Sequence, residues 1–254
     1  MSYLRRKFEM ADNHKMWEEL GMDLELHDQL CEVLPQAFGD VFLSQENRPE
    51  GMDYYNMVVA DIHGIRPAEL IEHQKKGGKV FGTFCVYVPD EVIFAADAIA
   101  TGLCGGSQFW VPGGEKVLPT NTCPLIKASV GARLDRTCPF FRIADMYIGE
   151  TTCDGKKKAW EILSEDVPVH VMDLPQMKRA KDVKAWAEEI TALKEKVEEF
   201  TGNKVTAEKL AETIKLINNK RKALARLYDC RKNETLPISG TDALVISQIA
   251  FYDD

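Results

Sequence analysis

The chain has 254 residues, 45% hydrophobic and 28% charged, which suffices for one large or two small packed domains and excludes a low-complexity or disordered polymer. A formal net charge of −8 speaks against a nucleic-acid-binding surface and gives no attraction to an anionic membrane. Met1–Met10 (MSYLRRKFEM) has basic residues but no following apolar run or cleavage site. The longest apolar stretch, Val92–Cys104, is broken by Asp97 and too short to span a bilayer. A soluble, cytoplasmic protein without a secretory leader is therefore expected.

Residues 1–76 read as helical and polar. Leu20, Leu24, Leu26, Leu30 and Leu34 form a rough helical stripe, and Arg66–Lys76 reads as a helix with Pro67 at its first position, stopped by Gly77 and Gly78. From Lys79 the pattern alternates. Val80–Tyr87 is β-branched and aromatic and reads as a buried strand, Asp90–Ala100 as a helix, and Leu103–Cys104 as a short strand leading into a Gly-rich loop. Cys123–Pro124 opens a helix through Arg133. Ala144–Thr151 reads as a strand, Lys156–Ser164 as a helix and Val167–Leu174 as a strand. Such alternation predicts an α/β fold, a parallel sheet with helices on both faces.

The last third is helical. Val183, Trp186, Ile190, Leu193, Val197 and Phe200 recur at three- and four-residue steps before Gly202, and Leu210, Ile214, Ile217, Leu224 and Leu227 mark a second helix. Both stripes read as packing surfaces. A further helix begins within Ser239–Asp254. The expected organisation is a helical extension over 1–76, a sheet-bearing unit over 77–180 and a helical region over 181–254.

Seven cysteines are many for a reducing compartment, and an odd count does not suit a closed disulfide framework. Five of them (85, 104, 123, 138 and 153) fall in one stretch. Cys31 and Cys230 lie inside helical patterns and are expected to be small buried hydrophobes. Cys85, Cys104 and Cys153 fall near predicted strand ends, where parallel sheets bind ligands. Cys123 and Cys138 each precede a proline, so each could stand at a helix start, where the helix dipole favours a thiolate. No spacing matches a compact cluster run or a zinc pair, so a set of buried thiols remains open alongside a metal site. Lys156–Lys158 reads either as a solvated helix start or as positive charge beside Cys153.

Gly82-Thr83-Phe84-Cys85, with Val88-Pro89-Asp90-Glu91 after it, resembles the opening cysteine motif of the 2-hydroxyacyl-CoA dehydratase and benzoyl-CoA reductase superfamily. Leu103-Cys104-Gly105-Gly106 and Asn121-Thr122-Cys123-Pro124-Leu125-Ile126-Lys127 are similar to its following segments. Gly149-Glu150-Thr151-Thr152-Cys153-Asp154-Gly155-Lys156-Lys157-Lys158 resembles its third motif, and Ile238-Ser239-Gly240-Thr241-Asp242-Ala243 also fits. The resemblance implies a Rossmann-like fold and an iron–sulfur cluster, a double cubane or a single four-iron cubane. It carries Cys85, Cys123 and Cys153 over as ligands, with Cys138 in reserve and Cys104 as packing.

The same resemblance implies electrons from a separate, dimeric, ATP-hydrolysing iron–sulfur activator and a homodimeric assembly. The helical extension and the TTCDGKKK stretch are most similar to the double-cubane branch, which reduces small molecules. The dehydratase branch instead passes one electron to a 2-hydroxyacyl-CoA thioester. Full members continue into a second Rossmann-like domain with further cysteines, so a missing segment or companion chain is expected to complete the site. Backbone N–H groups near Gly82, Gly105 and Gly155 are expected to donate to sulfur. A cluster-free binding subunit or a zinc-bearing structural domain are the competing expectations.

Overall fold

A computed structural model describes residues 13–103 and 105–252. Helices α1 (His14–Glu19), α2 (Leu24–Phe38), α3 (Met52–Ala60) and α4 (Ile65–Lys75) come first. The alternating part follows as β1 (Val80–Thr83), α5 (Asp90–Ala95), β2 (Ile99–Gly102), α6 (Val111–Glu115), α7 (Pro124–Leu134) and α8 (Pro139–Ile143). It continues through β3 (Met146–Glu150), α9 (Asp154–Leu163) and β4 (Val169–Met172). Then come α10 (Ala180–Thr201), α11 (Ala207–Cys230) and α12 (Gly240–Ile249). Gly202 ends α10 with φ 75°, the left-handed cap a glycine makes without steric penalty.

The strands pair in parallel in the order β2-β1-β3-β4, so the fold is the α/β, Rossmann-like arrangement expected. Every residue of β1 and β3 is buried, as a parallel sheet covered on both faces requires. The two-residue strand period sorts the side chains between two cores. Val80 and Tyr147 pack with Leu70, Phe84, Phe141, Trp160 and Leu163 beneath α4, α8 and α9. Phe81, Met146 and Ile148 pack with Ile93, Leu193 and Val197 beneath α5 and α10. Each large apolar side chain so buried contributes about 1.5–3 kcal/mol of transfer free energy.

Several boundaries differ from the sequence expectation. The strand expected over Val80–Tyr87 stops at Thr83, because Cys85 turns the chain with a φ of 56°. The helix expected through Ala100 stops at Ala95. Asp97 turns the chain with φ 57°, and Ile99 then pairs with Val80. The strand expected at Leu103–Cys104 is thus β2, shifted toward the amino end; Cys104 itself lies outside the described residues. Pro67 is the third residue of α4, which Gly64 precedes. Cys230, expected to be buried, is exposed on the last turn of α11, and Cys31 is half-buried over the His27 ring. No helix among the described residues is long and apolar enough to cross a membrane.

Polar contacts tie the amino-terminal helices to one another and to the rest of the chain. Trp17 Nε1 donates to the His63 carbonyl at 2.8 Å, and the buried His27 and His63 rings share a hydrogen bond of 2.9 Å. Arg142 Nε donates to the Leu20 carbonyl at 2.8 Å. Near the other end, Arg48 forms a two-pronged pair with Asp242 (2.6 and 3.0 Å), whose carboxylate is 1% exposed. Removing one partner of such a pair strands a buried charge. Arg48→Met is therefore expected to destabilise the fold by about 3 kcal/mol, seen as a lower urea midpoint with an unchanged slope.

Burial also keeps the two histidines neutral, pulling His27 down to about 4 and His63 to about 3. An unfolded histidine protonates near its ordinary value of 6.5. Between that value and the folded values the unfolded chain binds more protons, so stability falls on acidification. The melting temperature is expected to drop between about pH 6.5 and pH 4, with a shallower drop in His63→Gln than in the wild type.

Candidate functional site

The connection leaving β1 runs to β2, and the connection leaving β3 runs to β4, on opposite sides of the sheet. Between β1 and β3 the topology therefore switches direction, and it is beyond the carboxyl ends of strands at such a point that open parallel sheets bind ligands. Cys85 follows β1 and Cys153 follows β3 at this point.

Cys123 reaches the same corner through helix packing. It caps the start of α7, as Cys153 caps the start of α9. The two helix starts touch: a Cβ on Gly155 would lie 2.7 Å from Ile126 Cδ1 and 3.8 Å from Thr122 Cγ2. Any larger residue there would have to displace the tip of the Ile126 side chain. Leu125, Ile126 and Ser129 from α7, with Lys156, Ala159 and Trp160 from α9, close a cavity of about 20 Å³ against Phe84 and Cys85. Three cysteine-bearing turns thus meet at one corner of the sheet.

The three positions differ in character. Cys123 and Cys153 are exposed and make no side-chain cap bond. No side chain of either cysteine caps the N–H groups of the first turn, which in α7 begin at Leu125 because Pro124 has none. Cys85 is half-buried, and its left-handed φ of 56° costs about 1–3 kcal/mol in a residue that is not glycine. Lys156 Nζ donates to Cys85 Sγ at 3.0 Å and forms an ion pair with Glu150, the fully buried last residue of β3. Burial pushes the Glu150 carboxyl up to about 7 against the pull of Lys156. Burial also disfavours the Lys156 charge, yet its bonds to Cys85 and Glu150 hold its pKa above the ordinary lysine value. Trp160 Nε1 donates to the Glu150 carbonyl at 3.0 Å, and its ring packs edge-on to Phe84 at 4.6 Å.

Other candidates stand elsewhere. Cys138 precedes α8 in the core, 6% exposed, and faces a different cavity lined by Leu30, His63, Leu103 and Trp110. Burial pushes its thiol up to about 11, so it keeps its proton. Gly82 sits inside β1, paired on both sides, and Gly105 lies under the Trp110 ring. Of the three glycines expected to serve sulfur, Gly155 is the one at the contact between the starts of α7 and α9. Lys157 and Lys158 form exposed pairs with Asp154 and Glu161. Glu150 lies inside the third motif and Trp160 just beyond it, but motif spacing assigns neither a role; the signal for Glu150 is a carboxylate closing an otherwise apolar strand, where charge is costly.

Among the described residues, no three His, Cys, Asp or Glu side chains stand close enough to hold one metal ion in common. The donor set at the corner is nevertheless of the kind that iron–sulfur clusters use: accessible thiols at helix starts, with a cation beside one of them.

Residues 85–254 match the family described as 2-hydroxyglutaryl-CoA dehydratase, D-component. The chain is 38% identical over 178 residues to a protein of Escherichia coli (strain K12) named "Putative dehydratase subunit YjiM"; the match covers 70% of this chain and 46% of that protein. It is 26% identical over 174 residues to one of the subunits of benzoyl-CoA reductase from Thauera aromatica, covering 66% of this chain and 44% of that one. The chain spans about half the length of these relatives. Cys85, Cys123 and Cys153 fall inside the matched family segment, and α1–α4 precede it.

The three exposures predict an order of thiol reactivity. Under native conditions iodoacetamide is expected to label Cys123 and Cys153 readily and Cys138 only after unfolding, as read by peptide mass spectrometry.

Proposed function

The chain belongs to the 2-hydroxyglutaryl-CoA dehydratase D-component family, and from that premise we propose that it holds an iron–sulfur cluster through Cys85, Cys123 and Cys153 as part of a dehydratase or reductase. The observation that carries this reading is the meeting of the three cysteine-bearing turns at the strand switch point. When bound, the cluster would supply electrons one at a time at low potential. The chain's own contributions are electrostatic and steric. The first turns of α7 and α9 offset thiolate charge. Lys156 does the same at Cys85, and Phe84 with Trp160 closes the floor beneath it.

For the chemistry performed, the reading supported best is a 2-hydroxyacyl-CoA dehydratase subunit with a single cubane. The family description and the YjiM match both name a dehydratase, and burial of Cys138 leaves three accessible thiols in the Cys85–Cys153 stretch among the described residues. The second reading is a double-cubane reductase, favoured by the helices that precede the matched segment and by the TTCDGKKK stretch. Either way, a dimeric ATP-hydrolysing iron–sulfur activator would deliver the electrons, and the working unit would be a cytoplasmic homodimer completed by further polypeptide. The organisation proposed is a helical extension (1–76), a cluster-binding unit (77–180) and a helical region (181–254).

Iron and acid-labile sulfide, measured on protein purified without oxygen, test this directly. About four irons per chain support a single cubane and about eight a double one; none rejects the cluster. Cys153→Ser is expected to lose most of its iron while Cys31→Ser keeps it, and equal behaviour of the two would reject the ligand assignment.

A further inference from the structure

Lys156 is not an ordinary surface lysine. Its side chain is 12% exposed and the Glu150 side chain 0%. The ammonium touches three groups at once: Cys85 Sγ at 3.0 Å, the Glu150 carboxylate, and the Trp160 ring, whose centroid is 5.8 Å away. These contacts hold a normally flexible side chain in one orientation. Glu150 keeps its second carboxylate oxygen buried without a hydrogen-bond partner among the described residues. A buried pair of this kind is weak as a stabiliser, since apolar residues of similar volume often serve as well or better. Its place at the carboxyl end of β3, against a cysteine sulfur, therefore points to a task other than stability.

We propose that Lys156, oriented by Glu150, donates a hydrogen bond to the Cys85 sulfur in the cluster-bound protein and sets the reduction potential of the cluster. The inference rests on the cluster reading above and concerns a positioning pair, not a ligand. An N–H donor and a positive charge at a ligand sulfur stabilise the more negative, reduced state and raise the potential. Glu150 acts in the opposite sense, because its negative charge offsets part of that of Lys156. The pair thus contains two controls of opposite sign, one touching the sulfur and one behind it. The left-handed turn at Cys85 ends β1 where the sulfur meets the ammonium, which gives that strained conformation a physical purpose.

The test is a redox titration of the full chain, purified without oxygen and followed by electron paramagnetic resonance, with iron counted in every sample. Lys156→Met is expected to shift the potential down and Glu150→Gln to shift it up. Lys156→Arg, which keeps charge and donor, should stay near the wild type. Lys158→Met, on the exposed side of the same helix, serves as the control and should not move. If Lys156→Met assembles no cluster, Glu150→Gln and Lys156→Arg decide by the same rule. A purely structural pair would change iron content or melting temperature and leave the potential alone. Shifts of the same sign for Lys156→Met and Glu150→Gln, or no shift in an iron-loaded Glu150→Gln, overturn the proposal while leaving the cluster reading intact. A wild-type chain that takes up no iron overturns the cluster reading, and this inference with it.

Discussion

Burial of β1 and β3 on both faces governs where this molecule can carry chemistry. Their side chains alternate between two apolar cores, so neither face offers a surface for a ligand. Polar groups can collect only where the strands end, because there the backbone leaves the ladder and side chains meet loops and helix starts. The order β2-β1-β3-β4 makes one such place special, the gap between β1 and β3. Both central strands deliver a cysteine to that gap, and the packing of α7 on α9 brings a third alongside.

The same burial explains the unusual electrostatics of the corner. Glu150 belongs to a strand in which every residue is buried, so its charge cannot be hydrated. It is compensated by Lys156, which rises from the first turn of the following helix. Exposed pairs on that helix, such as Lys158 with Glu161, contribute little because water screens them. The Glu150–Lys156 pair is different: its partners are fixed, water is largely excluded, and removing either one strands a charge. Phe84 and Trp160 form the apolar wall that keeps it so.

The helices that precede the matched family segment are not a loose appendage. Arg48 grips Asp242 in the segment that resembles the family tail, Arg66 Nε donates to the Tyr252 carbonyl at 2.8 Å, and Gly102 N–H donates to the Phe251 carbonyl at 2.8 Å. The first two tie the amino-terminal region to α12 and the residues after it, and the third holds those residues to the end of β2. The carboxyl edge of the sheet is therefore braced from outside as well as from within, a condition for holding several ligands in register.

Much of this was legible in the residues. The rhythm of apolar runs and Gly or Pro breaks located β1, β3 and β4, while the strand expected at Leu103–Cys104 lies wholly earlier, at Ile99–Gly102. Pro124 marked the start of α7 and Gly202 the end of α10, and the motifs around Cys85, Cys123 and Cys153 identified the family. Local signals work there because caps, turns and strand periodicity depend on near neighbours. The end of the α5 helix was not legible, because Ile99–Gly102 becomes a strand only by pairing with β1, a partner outside the local sequence. Nor was the difference between Cys138 and Cys123, since both precede proline and only packing buries one of them. The bond from Lys156 to Cys85 joins residues 71 positions apart. Tertiary structure alone decided it, because parallel strands place their carboxyl ends side by side whatever separates them along the chain.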